Sequence, residues 1–163
     1  MKRILTLILA VVMLTTIFII PANAAENKDF VIDGTNVEIE YLEDGYYTVT
    51  YIENNSIIVP DASTQATTVT KTKTKNFLNS AGEVMWYVKV QGTFTYDGST
   101  SKCTSVAHKA AAKGSTWSIV SASSSKSGNT ATAKATARHT SAVGYDDYTR
   151  SVTLTCSKTG VFS

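Results

Sequence analysis

Cysteine, proline and histidine are scarce, with two of each among 163 residues. The two cysteines and the distant His108 and His139 lack the close ligand spacing of a zinc site, so we expect no metal. A catalytic triad would have to use one of these histidines, and no Gly-x-Ser-x-Gly motif accompanies them. We therefore expect two exposed histidines, no catalytic residues and no cofactor.

Long apolar runs are also lacking, apart from one at the N-terminus. Residues 1–3 are basic at Lys2 and Arg3, residues 4–20 are almost unbroken apolar sequence, and residues 21–24 end in the small-x-small pattern that signal peptidase cleaves. We predict a signal peptide over 1–24 and a secreted, extracellular protein. The alternative is an uncleaved membrane anchor, which the cleavage pattern after Pro21 disfavours. No second apolar run follows, so we expect no membrane contact after cleavage.

The charge is unevenly distributed along the chain. Without Lys2 and Arg3 the remaining chain carries 13 basic and 13 acidic residues, and this neutrality argues against a nucleic-acid partner. Residues 25–61 nevertheless hold nine acids and one base, whereas residues 62–163 hold twelve bases and four acids. Either the two halves attract each other within one fold, or the acidic segment is a removable cover for a basic surface.

Alternating side chains predict strands through most of the chain. Val37, Ile39 and Tyr41 alternate with acids before a turn at residues 43–45, and the alternation resumes at Tyr47, which predicts a hairpin. The pattern is lost over 54–66, the best internal boundary. We therefore divide the exported chain into an acidic hairpin segment, 25–61, and a β-sandwich domain, 62–163.

The second half carries the strongest strand signals. Residues 84–96 place aromatic and β-branched side chains on one face, interrupted by Gly92, which suggests a bend or bulge that would let one strand serve two sheets. Residues 130–138 place four alanines on one face, suited to close packing under Trp86 and Trp117. We expect residues 107–113 to form at most a turn and residues 121–128 to form a loop. The fold class is all-β, an antiparallel sandwich of about seven strands.

Both cysteines lie in the exported portion, where an oxidising compartment favours pairing. We therefore predict a Cys103–Cys156 disulfide between strands or sheets. The order Cys103, Trp117, Cys156 is that of immunoglobulin domains, although Leu154 stands where those domains carry a tyrosine. The sandwich is thus possibly immunoglobulin-like, with the bridge near a tryptophan.

Two polar patches are candidate binding sites. Lys71, Lys73 and Lys75 share one face of a predicted edge strand, either to discourage pairing with other chains or to dock an anionic glycan. The tetrapeptide Tyr145, Asp146, Asp147 and Tyr148 is expected at a hairpin tip, as an ordinary polar turn or as a sugar or calcium site. Its adjacent carboxylates would point to opposite sides of an extended chain, which disfavours a glycosidase site that uses both carboxylates.

The region from Trp86 onward resembles a group of small uncharacterised secreted proteins of Gram-positive bacteria. The resemblance rests on residues 92–98, Cys103, Trp117, residues 127–129, and residues 152–157 with 159–160. It implies bacterial export and a disulfide-bonded β domain, and it implies no mechanism.

These observations favour a non-catalytic binding or cell-surface interaction module. Its partner would be an extracellular glycan, a cell wall or a protein surface. A secreted toxin or antimicrobial factor masked by its acidic segment is the second hypothesis, and an unrecognised hydrolase is the third.

Overall fold

The computed structural model describes residues 27–32, 35–53, 57–60 and 66–163. The predicted signal peptide and its cleavage site lie outside these ranges. Ten strands are described: β1 (Asn27–Ile32), β2 (Thr35–Tyr41), β3 (Tyr47–Ile52), β4 (Ile57–Pro60), β5 (Thr67–Leu78), β6 (Val84–Tyr96), β7 (Ser101–Ala112), β8 (Trp117–Ser127), β9 (Thr130–Ser141) and β10 (Gly144–Thr155).

The strands form two antiparallel sheets, which confirms the all-β sandwich. The large sheet has the order β1-β2-β3-β5-β6-β7, with β4 paired to β5 beside β3, and the small sheet has the order β10-β9-β8. The small sheet packs against β5, β6 and β7, and β7 lies next to β8 at one side of the sandwich. We call the surface of the large sheet on this side its inner face.

The predicted hairpin of the acidic segment is confirmed as β2 and β3. Its turn is a short 3-10 segment, Glu43–Gly45, in which Asp44 and Gly45 have φ values of 59° and 75°. Strand β3 then pairs with β5 over six residue pairs. The described part of the acidic segment is therefore hydrogen-bonded into the large sheet.

The core lies between β6 and β9, as the alternation of both strands predicts. Trp86, Val88, Val90 and Phe94 are at most 1% exposed, and the four alanines of β9 are equally buried: Ala131, Ala133, Ala135 and Ala137. Because a methyl group is the only side chain on this face of β9, the sheets approach closely under the larger residues of β6. The expected packing of alanines beneath aromatic residues is confirmed.

Gly92 is the point of closest approach between β6 and β9. A Cβ atom there would overlap the Phe94 ring and would lie 3.1 Å from the Ala131 Cβ. The predicted bulge occurs next to it, where Thr93 pairs with Ser105 and Phe94 with Cys103, so the extra residue is in β7. The expectation that this strand serves two sheets is wrong, because β6 pairs only within the large sheet.

Two segments predicted to lack strands form long ones. Residues 107–113 were expected to form at most a turn, but most of them belong to β7, and the expected loop at 121–128 is mostly β8. Both are edge strands with largely exposed side chains. Small polar residues and alanine are tolerated there because an edge strand buries little apolar surface.

The predicted disulfide is wrong: Cys103 and Cys156 are both free thiols in the core. Cys103 is opposite Phe94 in β6, whereas Cys156 forms a bridge pair with Phe162, and these two rings meet edge to face at 5.4 Å. Each Sγ instead donates to a nearby backbone carbonyl, Cys103 to Ser105 and Cys156 to Ser157. The immunoglobulin-like order of Cys and Trp therefore marks no bridge here.

Substituting Gly92→Ala should destabilise the protein, because neither the buried Phe94 ring nor the Ala131 methyl has room to move. We expect a loss of about 1–3 kcal/mol in the free energy of unfolding, measured by urea denaturation. Ser125→Thr, which also adds one methyl group but on the exposed face of β8, is the control and should change little. Equal stability of Gly92→Ala and wild type would contradict the close approach of the sheets.

The two thiols should be unreactive in the native protein, because burial raises the pKa of both Cys103 and Cys156 and blocks access. Without any reductant, a maleimide should add no label to the folded chain and two labels in guanidinium, as read by intact mass. An unlabelled denatured chain would restore the disulfide and overturn the assignment of free thiols.

Candidate functional site

The row of three lysines, Lys71, Lys73 and Lys75, lies on the inner face of the large sheet. These residues pair with Gly92, Val90 and Val88 of β6, which face the small sheet. The prediction that the lysines share one face of a strand is confirmed. The prediction of an edge strand is wrong, because β5 lies between β3 and β6. A local sequence pattern does not reveal that β3, from the acidic segment, pairs with the edge of β5 that is not paired with β6.

Beside the lysine row, the inner face continues onto β3 and β2. Thr50 pairs with Lys75 and Thr48 with Phe77, while Glu38 and Glu40 pair with these threonines from β2. We call this part of the inner face the lateral strip; it consists of Glu38, Glu40, Thr48, Thr50 and the lysine row. The small sheet packs on the same inner face, next to the strip, over β5 to β7.

Glu40 is the acid most closely engaged with the lysine row. Its Oε2 accepts a hydrogen bond from Thr48 Oγ1 at 3.2 Å and lies 3.5 Å from Lys75 Nζ. The Lys75 side chain is only 15% exposed, so its aliphatic part is packed and its ammonium group meets Glu40. The strip therefore already binds one carboxylate, and that carboxylate comes from β2.

Lys73 occupies the most perturbed position of the row. Burial lowers its pKa, a nearby Glu38 partly opposes that shift, and Lys75 adds to it. Within the part of the chain that the structure describes, neither Lys71 nor Lys73 forms an ion pair. Two of the three lysines thus form no ion pair with a described acid, although Glu38 acts on Lys73 at longer range.

Arg150 of β10 brings a fourth cation to the border of the lateral strip. It pairs with Ala135, so it lies on the face of the small sheet that is turned toward the large sheet. Its guanidinium lies 5.6 Å from the centre of the Phe77 ring. Phe77 follows Lys75 by two residues on the same face, which places Arg150 beside the end of the lysine row.

Two polar atoms at this border have no hydrogen-bond partner among the described residues. They are Thr50 Oγ1 and Arg150 Nε, and both are buried. An unpaired buried donor or acceptor costs about 1–3 kcal/mol, so most native structures avoid one. Sequence analysis missed both residues, although an arginine in the apolar alternation of Tyr148, Val152 and Leu154 was a visible signal.

The tetrapeptide Tyr145–Tyr148 is part of strand β10 rather than the hairpin tip, which lies at residues 142–143. Asp147 accepts two hydrogen bonds from Arg138, at 2.7 and 2.9 Å, and this contact holds the pKa of the Asp147 carboxyl below its usual value. The Arg138 guanidinium also stacks on the Tyr145 ring at 3.8 Å.

Asp146 and Tyr148 alternate with Asp147 and point to the opposite face. Tyr148 contacts the core rings of Phe77 and Trp117. The tetrapeptide is therefore divided between two surfaces and does not form one site, as the alternation of an extended chain requires.

The histidines occupy different environments. His108 is exposed, as expected, with its Nδ1 2.9 Å from Ser124 Oγ. His139 is half-buried and stacks on Trp117 at 4.7 Å, so the expectation of an exposed side chain is wrong for it. Its packing against the indole explains the difference.

Within the described ranges, no three His, Cys, Asp or Glu side chains are grouped as a metal ion would need. The same ranges contain no helix of the length and apolar character that crossing a membrane requires. Comparison with protein-family models, curated proteins and solved structures gives no match.

The pKa of Lys73 should lie below that of an ordinary lysine, and Glu38→Gln should lower it further, because the carboxylate favours the charged ammonium. The measurement is a pH titration of ¹³C-methylated lysines by NMR, with the Lys73 signal assigned through Lys73→Arg. Glu83→Gln, which removes an exposed acid outside the lateral strip, should leave this pKa unchanged. A higher pKa of Lys73 in Glu38→Gln would contradict the described electrostatic effect of Glu38 on Lys73.

Proposed function

We propose that the protein is a secreted, non-catalytic module that binds an anionic polysaccharide along the lysine row. The observation that carries this proposal is a row of three lysines on one face of β5, of which only Lys75 forms an ion pair among the described residues. Secretion is supported by the N-terminal signal pattern.

The spacing of the row suits a repeating ligand. Alternate residues of a strand are about 6.6 Å apart on one face, so the three lysines extend over about 13 Å. A chain with an acidic group on successive sugars can contact several of them at once. Because the three lysines are only partly buried, binding should weaken as salt increases.

The local balance of charge also favours an anion. Counting only β2, β3 and β5, the lateral strip carries the three lysines of the row against Glu38 and Glu40, and Arg150 lies at its border. The chain after residue 24 is neutral as a whole, so the grouping of these lysines comes from their positions along β5 rather than from composition.

A purely protective role for the same lysines makes a different prediction. Strand β10 is an edge of the small sheet, and charged side chains that point inward beside an edge discourage another strand from pairing there. Removing the lysines would then cause self-association without any loss of ligand binding. Size-exclusion chromatography of the same variants distinguishes the two roles.

The test is the affinity of residues 25–163 for heparin, polygalacturonate and wall teichoic acid, with uncharged dextran as a negative control. At low salt, Lys71→Gln with Lys73→Gln should weaken binding by about tenfold. Glu40→Gln should strengthen it, because an internal carboxylate no longer competes for Lys75.

The matched control is Lys102→Gln with Lys134→Gln, which removes the same charge from exposed positions outside the strip. Retention of none of the anionic polymers, or an equal loss in this control, would contradict the proposal. Self-association of Lys71→Gln/Lys73→Gln with unchanged affinity would assign the lysines to edge protection instead.

A further inference from the structure

We propose that Arg150, Thr50 and Lys75 form a subsite for a carboxylate group, so that the polysaccharide is a uronic-acid polymer that contacts both sheets. The inference rests on the proposed function and adds the chemical class of the ligand. It starts from polar atoms that the protein itself leaves unpaired.

The first observation is the carboxylate already bound on the strip. Thr48 Oγ1 and Lys75 Nζ both lie within 3.5 Å of Glu40 Oε2. A threonine hydroxyl next to a lysine therefore holds a carboxylate oxygen in this fold. Thr50 lies two residues after Thr48 on the same face of β3, directly opposite Lys75 of β5 and Glu38 of β2.

The second observation is that the Thr50 hydroxyl is unpaired among the described residues, although Glu38 lies opposite Thr50 on β2. Thr50 is 3% exposed and its Oγ1 lacks a hydrogen-bond partner. The hydroxyl can donate to an acceptor; Lys75 is directly opposite it on β5, and Lys73 lies diagonally from it, opposite Ile52. An incoming carboxylate would satisfy this group.

The third observation is Arg150 on the opposite sheet. Its Nη1 donates to the Thr149 carbonyl at 2.8 Å, whereas its buried Nε has no acceptor. A guanidinium presents parallel donors that match the two oxygens of a carboxylate. Because its guanidinium lies above Phe77, next to Lys75 on the same face, a ligand carboxylate there would connect β10 to β5.

These three groups come from β3, β5 and β10, which are not adjacent in the chain. The fold places Arg150 over Phe77, which neighbours Lys75 on the inner face of β5, and Lys75 is opposite Thr50. The proposed subsite is therefore distinct from a general attraction to a basic strand. Lysines alone would favour any polyanion, whereas a forked donor beside a hydroxyl favours a planar carboxylate.

The test uses hexagalacturonate as the probe and measures its dissociation constant by calorimetry for residues 25–163. Arg150→Lys keeps the charge and removes the forked donor, and it should weaken binding by about tenfold. Thr50→Val keeps the shape and removes the unpaired hydroxyl, and it should weaken binding by about fivefold.

Stability separates a binding role from a structural one. Thr50→Val should leave the thermal midpoint unchanged or higher, because it deletes a buried hydroxyl that has no partner among the described residues. Thr153→Val and Arg138→Lys, on the other face of the small sheet, are the matched controls and should bind hexagalacturonate as wild type does.

Two failures are distinguishable. If Lys71→Gln/Lys73→Gln loses hexagalacturonate but Arg150→Lys and Thr50→Val bind it normally, the subsite is overturned and the lysine-row proposal stands. If the lysine variant also binds normally, both proposals are overturned. Tighter binding of heparin than of polygalacturonate, with no effect of Arg150→Lys, would overturn the assignment of a carboxylate ligand.

Discussion

The close contact between the alanine face of β9 and the inner face of β6 is the constraint on which the rest of the structure depends. Four alanines at most 1% exposed lie over valines, Phe94 and Gly92. Close-packed interiors tolerate few changes in volume, so a narrow gap between the sheets fixes which strands can lie opposite each other. The small sheet has only three strands, and it covers β5, β6 and β7. The inner faces of β2 and β3 remain beside it and, with the lysine row of β5, form the lateral strip.

That arrangement explains why charged residues occur on a face that is apolar elsewhere. On the inner face of β5, the lysine row lies between two buried apolar residues, Val69 and Phe77. The aliphatic parts of lysines can pack at the border of a core while their ammonium groups reach polar surroundings. Glu40 neutralises one of these groups from β2, which gives the acidic segment a direct role in the charge of the strip.

Sequence reasoning predicted the strands well wherever alternation was strong. The patterns at 37–51, 84–96 and 130–138 are local properties of an extended chain. The first corresponds to the hairpin of β2 and β3, the second to β6 and the third to β9. It failed where information is long-range. The compartment argument for a disulfide says nothing about the distance between Cys103 and Cys156, and the Ser-rich run of β8 gave no apolar alternation to detect. The lateral strip requires pairing of β3 with β5 and the approach of Arg150 from β10, which no local window contains.

The most direct test of the account is amide and methyl NMR of residues 25–163 during titration with hexagalacturonate. The account predicts that the shifted signals are those of Thr48, Thr50, the lysine row and Arg150, with little change at Thr132 and Thr153 on the outer face of the small sheet. Shifts confined to that outer face, or to the tyrosines on the far side of β3, would contradict the assignment of the lateral strip as the binding surface.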